Sequence, residues 1–240
     1  MIKAVLFDLD GTLLPMDQDK FVKDYFERLT ATLSKHGYEQ EKLYEGIWCG
    51  IKAMLKNNTD KLNMELWWEG FTSYFGQKAL DDKYIIDDFY KNEFGKKNEF
   101  GKVKETCGFN PESPKTVHKL KENGFRVILA TNPVFPAVAT EQRIRWAGLT
   151  PEDFELYTTY ENSTRCKPNL EYYTEILRKI DCRPEECIMV GNDVSDDMPA
   201  ENLGMKVFLL TDCLINSKNE DISKYPNGTF SDLWEYIKTL

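Results

Sequence analysis

Histidine is nearly missing from this chain: 240 residues contain two, His36 and His118. Neither stands beside a cysteine in sequence, so a zinc site is not expected. The six cysteines, Cys49, Cys107, Cys166, Cys182, Cys187 and Cys213, form no Cys-x-x-Cys pair. Reduced thiols in a cytoplasm fit that usage, and the sequons at Asn57, Asn162 and Asn227 are then chance matches. No apolar stretch reaches signal or membrane-spanning length, and a strand begins directly after Met1-Ile2-Lys3. No basic block interrupts a net charge of −9, which argues against nucleic-acid and anionic-membrane partners. An anionic substrate would be repelled at long range, so it requires local cations that override the global field.

What is present begins at Val5-Leu-Phe-Asp-Leu-Asp-Gly-Thr-Leu-Leu14, an apolar run that delivers Asp8 and Asp10 and then turns on Gly11. A strand has a side-chain period of two, so Asp8 and Asp10 are expected to point one way and Leu9 the other. Two carboxylates at one spot repel each other, and a hard cation with oxygen ligands, Mg²⁺, is the natural remedy. Asp-x-Asp-Gly also begins a calcium loop, but the twelfth position here is Asp19 rather than Glu.

The next hundred or so residues read as helices. Phe21, Tyr25, Leu29 and Leu33 recur every fourth residue, as do Leu43, Ile47, Ile51 and Leu55. Trp67, Phe71 and Phe75 make a third stripe, and Ile85, Ile86, Phe89 and Tyr90 a fourth. Lys91-Asn-Glu-Phe-Gly-Lys is followed at once by an identical copy over 97–102. Gly95, Gly101 and Lys102 do not make a phosphate loop, because the spacing is one residue too long and Val103 replaces Ser or Thr. From Ser113 onward strands and helices alternate. Ser113 and Pro114 read as an N-cap and first helical position, with Gly124 closing that helix before the strand Arg126–Ala130. A helix around 134–146, a strand around 157–160, a helix over 169–180, a strand over 187–190, a helix over 196–203 and a strand over 206–210 follow. Such alternation implies a parallel sheet covered on both faces, with ligands at the carboxyl ends of its strands.

Asp-x-Asp-Gly-Thr after a hydrophobic strand resembles the opening motif of the haloacid dehalogenase-like phosphohydrolases. Three further pieces of that pattern follow in order: Thr131 ending the buried strand from Arg126, Lys167 in Cys166-Lys-Pro168, and an acidic pair in Gly191-Asn-Asp-Val-Ser-Asp-Asp197. The resemblance runs from residue 1 to about 212 and implies an α/β fold, a Rossmann-like doubly wound parallel sheet with an inserted α-helical cap. Residues 1–14 and 106–240 would form the core, and 15–105 the cap.

The resemblance implies a Mg²⁺-dependent phosphomonoesterase acting on a small soluble phosphorylated metabolite. Asp8 would attack phosphorus to form an aspartyl-phosphate, and Asp10 would serve as general acid and base, held by Thr12. Thr131, with the N–H groups of Leu9, Asp10 and Asn132, would cradle the phosphoryl oxygens, and Lys167 would supply fixed positive charge. The Asp8 side chain, the Asp10 carbonyl and Asp193 would hold Mg²⁺. Two registers are open because Asn192-Asp193 stands where the family more often has Gly-Asp. Asp193 is preferred, since Asp197 then lies four residues on and Asn192 stands behind it; Asp196 is the lesser candidate, equally a helix-start acid. Specificity would be written around Met16, Asp17 and the loops between cap helices.

A phosphosugar mutase shares every core residue. A dehalogenase needs neither Asp10 nor a metal, and a phosphonatase would need a cap lysine such as Lys52 or Lys56. From another class, a non-catalytic binding protein would have no reason to keep Asp8, Asp10, Lys167 and Asp193 together.

Overall fold

The computed structural model describes residues 1–94 and 105–240. Six parallel strands form one sheet: β1 (Ala4–Phe7), β2 (Arg126–Leu129), β3 (Leu156–Tyr157), β4 (Cys187–Gly191), β5 (Lys206–Leu210) and β6 (Asn227–Gly228). Their spatial order is β3-β2-β1-β4-β5-β6, so β1 sits where the winding reverses. This is the expected Rossmann-like α/β fold with a helical insertion after the first strand. Alternation along each strand divides the core. Val5, Phe7, Val127, Leu129, Ile188 and Val190 face one layer, and Ala4, Leu6, Ile128, Cys187 and Met189 the other.

Among the described residues, five helices follow β1 before residue 95: α1 (Gln18–Ser34), α2 (Gln40–Leu55), α3 (Asn63–Phe75), α4 (Gln77–Asp81) and α5 (Lys83–Glu93). Their apolar stripes are buried at Phe21, Tyr25, Leu29, Leu33, Leu43, Ile47, Trp67, Phe71, Ile85, Ile86, Phe89 and Tyr90. Leu55 departs from its stripe and is 46% exposed. A strict four-residue step drifts off a 3.6-residue turn, and by the end of α2 Met54 has taken the buried place. The α2–α3 contact is close because Gly50 and Gly70 meet there; a Cβ on Gly70 would lie 2.8 Å from the Cys49 carbonyl oxygen and 2.8 Å from the Gly50 Cα.

The remaining helices are α6 (Glu112–Glu122), α7 (Ala137–Trp146), α8 (Leu170–Lys179) and α9 (Phe230–Ile237). Several boundaries differ from the sequence reading. Pro111, not Ser113, occupies the N-cap position of α6, and Ser113 is buried in its first turn. The segment expected as a helix over 196–203 is a 3-10 helix, Met198–Leu203, with Pro199 in its first turn. β3 is two residues rather than four, and α7 starts at Ala137 rather than 134. Of the duplicated hexapeptide, Lys91–Glu93 ends α5, while the Gly95, Gly101, Lys102 and Val103 positions lie outside the described residues. No helix among the described residues is long and apolar enough to cross a membrane.

Candidate active site

Sheet register brings the motifs together. Phe7 pairs with Leu129 on one side and Val190 on the other. The Asp8 N–H donates to the Val190 carbonyl at 2.9 Å, and the Ala130 N–H to the Phe7 carbonyl at 2.7 Å. The residues one to three positions beyond these pairs, Asp8, Thr131 and Asn192-Asp193, therefore leave the sheet at the same end.

At the centre Lys167, 4% exposed, donates from Nζ to Asp8 Oδ1 at 2.7 Å and to Asp197 Oδ1 at 2.6 Å. Burial pulls the Lys167 ammonium down, but Asp197 and Asp8 outweigh it and hold the amine well above its ordinary value. Burial holds Asp8 above the ordinary carboxylate range, opposed by Lys167 and reinforced by Asp197 and Asp10. Asp197 also accepts from the Asp193 N–H at 3.0 Å, so one carboxylate ties Lys167 to the fourth motif. Gly191 is needed beneath it, because a Cβ there would overlap Asp197 Oδ2 at 2.0 Å.

Thr12 does not hold Asp10. Its hydroxyl donates to Asn192 Oδ1 at 2.8 Å and stands 3.4 Å from Asp8 Oδ2. Asn192 in turn donates to the Cys213 carbonyl at 2.7 Å. Both ends of that amide are engaged within the protein. Gly11, at φ +85°, gives the turn and leaves room for Asn192, whose Nδ2 a Cβ would meet at 2.3 Å.

β1 ends at Phe7, and Asp10, three residues on, is held from outside the four motifs. Its carboxylate Oδ2 accepts from Nη1 of Arg143 on α7, and its carbonyl accepts from Gln18 Nε2 at 2.9 Å. Neither residue was singled out by the sequence. Arg143 carried a readable signal, a charged residue in phase with buried Ala139, Thr140, Ile144 and Ala147.

Asp193 Oδ1 accepts from the N–H groups of Ser195 at 2.7 Å and Asp196 at 3.1 Å. Burial raises its carboxyl above the ordinary value. Asp196 lies nearer the site than a helix-start acid would: Asn132 Nδ2 stands 3.4 Å from its Oδ2, and burial pushes it up to about 6. The Thr131 carbonyl accepts from Tyr172 at 2.8 Å and Thr158 at 2.7 Å; its own hydroxyl has no partner among the described residues. The N–H groups of Leu9, Asp10 and Asn132 likewise have no acceptor among them. Cys166 is buried and its thiol is pushed up to about 12 by that burial, an inert neighbour of Lys167.

No three His, Cys, Asp or Glu side chains converge as a metal-holding group among the described residues. A cation would rest on two carboxylates, Asp8 and Asp193, and on the Asp10 carbonyl. Buried carboxyls held above their ordinary range fit that donor set, because a hard cation offsets the cost of their charge. A cavity of about 540 Å³, lined by Met16, Asp17, Gln18 and Asp19 on one side and by Asp193 and Leu214 on the other, gives access to this edge. A larger one, about 610 Å³, lies between α2 and α3 and shares no lining residue with the site. Lys52 lines that outer cavity and Lys56 is exposed, so neither stands as a Schiff-base lysine.

A haloacid dehalogenase-like hydrolase family model matches residues 2–204. The chain is 29% identical over 219 residues to the mouse haloacid dehalogenase-like hydrolase domain-containing protein 2, covering 85% of this chain and 82% of that one. It is 26% identical over 207 residues to the pyrophosphatase PpaX of Bacillus cereus, covering 85% and 81%. Among solved structures, a predicted phosphoglycolate phosphatase from Haemophilus somnus superposes with a TM-score of 0.59 at 15% identity, covering 98% of each chain.

Proposed function

The chain belongs to the haloacid dehalogenase-like hydrolases, and from that premise we propose that it is a Mg²⁺-dependent phosphomonoesterase of a small phosphorylated metabolite in the cytoplasm. Residues 15–105 act as its cap, and 1–14 with 106–240 as its catalytic core. One observation carries the reading: Lys167 bridges Asp8 and Asp197 at 2.7 and 2.6 Å, joining motifs about 160 and 30 residues apart into one buried charge cluster.

An Asp8 carboxylate oxygen attacks phosphorus, the ester P–O bond breaks, and Asp10 gives its proton to the leaving oxygen. Water then attacks the aspartyl-phosphate while Asp10 takes its proton, and the P–O bond to Asp8 breaks to release phosphate. Thr131 and the N–H groups of Leu9, Asp10 and Asn132 take the phosphoryl oxygens, and Lys167 holds Asp8 in line. Asp8, Asp193 and the Asp10 carbonyl would hold Mg²⁺, which would supply positive charge against the phosphoryl group. A pyrophosphatase and a glyceraldehyde 3-phosphate phosphatase among the relatives support phosphate chemistry.

The test is phosphate release from sugar phosphates, nucleoside monophosphates, phosphoglycolate and p-nitrophenyl phosphate, with and without Mg²⁺. Turnover that needs the metal and disappears in Asp8→Asn is expected. Isomerised sugar phosphate without free phosphate would replace this reading with the mutase, and silence across the panel would favour a binding protein.

A further inference from the structure

Asn63, the first residue of α3, is fully buried where the inserted helices meet the core. Its Nδ2 donates to the Pro133 and Arg165 carbonyls, each at 3.2 Å, and stands 3.4 Å from Cys166 Sγ. Pro133 directly follows the Thr131-Asn132 pair, and Arg165-Cys166 leads directly into Lys167. One side-chain amide therefore ties together two loops from separate stretches of the core. The amide is itself held: its Oδ1 accepts from Asn57 Nδ2 at 3.4 Å, and the Asn63 N–H donates to the Ser163 carbonyl at 2.8 Å. Next to it, the Met64 N–H donates to the Tyr160 carbonyl at 2.9 Å. Asn57, also buried, is fixed in turn by the Lys61 carbonyl at 2.8 Å and by the Thr59 N–H and hydroxyl at 2.8 and 2.9 Å.

A primary amide has two N–H donors, and Asn63 directs them at carbonyls of different loops. Apolar packing could join the same surfaces, but it accepts many combinations of volume, whereas a satisfied buried polar network fixes one arrangement. The dimension fixed here is the separation between Asn132, whose N–H serves the phosphoryl cradle, and Lys167. We propose that Asn63 is a positioning residue supplied by the inserted helices, holding the Asn132 and Lys167 loops at the separation that lets cradle and ammonium meet one phosphoryl group. The inference rests on Thr131, Asn132 and Lys167 as the phosphoryl-binding groups of the proposed reaction. Asn63 acts through the two backbone carbonyls and not on the reacting atoms. Alanine at this position keeps neither donor, and serine keeps one on a shorter arm. A misplacement of about 1 Å in such loops can cost about 10²-fold in rate.

The experiment measures three quantities with Mg²⁺ present: kcat and KM on p-nitrophenyl phosphate, the dissociation constant of orthovanadate by calorimetric titration, and the melting temperature. Orthovanadate takes up the five-coordinate geometry of phosphoryl transfer, so its affinity follows transition-state stabilisation. Asn63→Ala is expected to lose at least about tenfold in kcat per folded molecule and to bind orthovanadate more weakly by a similar factor, with Asn63→Ser recovering part of both. Gly70→Ala, which disturbs the inserted helices elsewhere, should lower the melting temperature while orthovanadate affinity stays within about twofold. If Asn63→Ala does not fold, Asn63→Ser carries the test on the same constants. A lower melting temperature with kcat and orthovanadate affinity both within about twofold of the parent would make Asn63 structural and overturn the proposal. A fall in kcat without weaker orthovanadate binding, or equal weakening in Gly70→Ala, would overturn it as well. A parent that binds orthovanadate without turnover removes the reaction but not the cradle, and the orthovanadate constants then decide. A parent that neither releases phosphate nor binds orthovanadate overturns the phosphoryl-binding reading and this inference with it.

Discussion

The carboxyl edge of the sheet buries charge, and the inserted helices bury rings. At the edge, Lys167, Asp8 and Asp197 are all nearly excluded from water, each fixed by hydrogen bonds of 2.6 to 3.0 Å. In the helical layer, Trp67 stacks on Phe71 with centroids 4.9 Å apart and an interplanar angle of 14°, and Phe71 meets Phe75 at 4.9 Å. Charges in low dielectric tolerate one arrangement, because any unpaired member carries its full desolvation cost. Apolar packing accepts many combinations of the right volume. The edge is accordingly spelled in motifs, whereas the helices are spelled only in periodicity.

Removing the central cation should break the first region most severely. Lys167→Met leaves Asp8 and Asp197 buried without their shared partner. A loss of at least about 10²- to 10³-fold in kcat is expected. A loss of about 3 kcal/mol in urea unfolding should accompany it. Near-normal activity in a steady-state assay would mean that the cluster is structural only.

A second test titrates the same cluster. In the proposed reaction Asp8 must be ionised to attack, and burial holds it above the ordinary carboxylate range against the pull of Lys167. Activity therefore falls as pH falls, with the acid limb of kcat/KM above about 4. Mg²⁺ binds only the deprotonated carboxylate, so raising its concentration should move that limb to lower pH. A limb that ignores Mg²⁺ would separate Asp8 from the metal.

The contrast also explains what could be read from the chain. Parallel-sheet alternation and the four motifs were legible because each motif ends a strand or precedes a helix, positions at which local spacing reports three-dimensional place. Asp10's partners were not legible in the motifs, although the placing of Arg143 among buried helix positions was a weak signal. Gln18 opens α1 and Arg143 lies within α7, both outside the four motifs, and Thr12 did not hold Asp10 because its hydroxyl turns instead to Asn192, distant in the chain. Asn63 was hidden for a similar reason: it opens α3 like an ordinary polar residue, yet it is fully buried and reaches the Pro133 and Arg165 carbonyls, each at 3.2 Å. Contacts between distant segments leave no local signature.

The helical layer offers the complementary test. Gly70→Ala places a methyl group 2.8 Å from backbone atoms of α2, which cannot move as a flexible side chain would. Overpacking of about 1 to 3 kcal/mol is partly offset by the better helix propensity of alanine, about 1 kcal/mol. The melting temperature should fall while kcat/KM per folded molecule stays within about twofold. If catalysis falls in step with stability, the two regions are not separable.

The smallest expected effect lies at the rim of the charged region. Glu175 on α8 accepts from the Thr164 N–H at 3.0 Å, the Thr164 hydroxyl at 2.8 Å and Lys179 Nζ at 2.7 Å, securing the loop that leads to Lys167. Burial pushes its carboxyl up, but Lys179 and Thr164 outweigh it and hold it below its ordinary 4.5. A carboxyl whose folded value is depressed contributes stability above its unfolded value, and that contribution is lost as pH falls through the folded one. Glu175→Gln should therefore cost about 1 kcal/mol in urea unfolding at pH 7. The difference from the parent should shrink as pH falls below 4.5, with activity unchanged. A deficit of the same size in strong acid would assign the effect to amide packing rather than charge, and would remove the loop's anchor from the electrostatic side of the comparison.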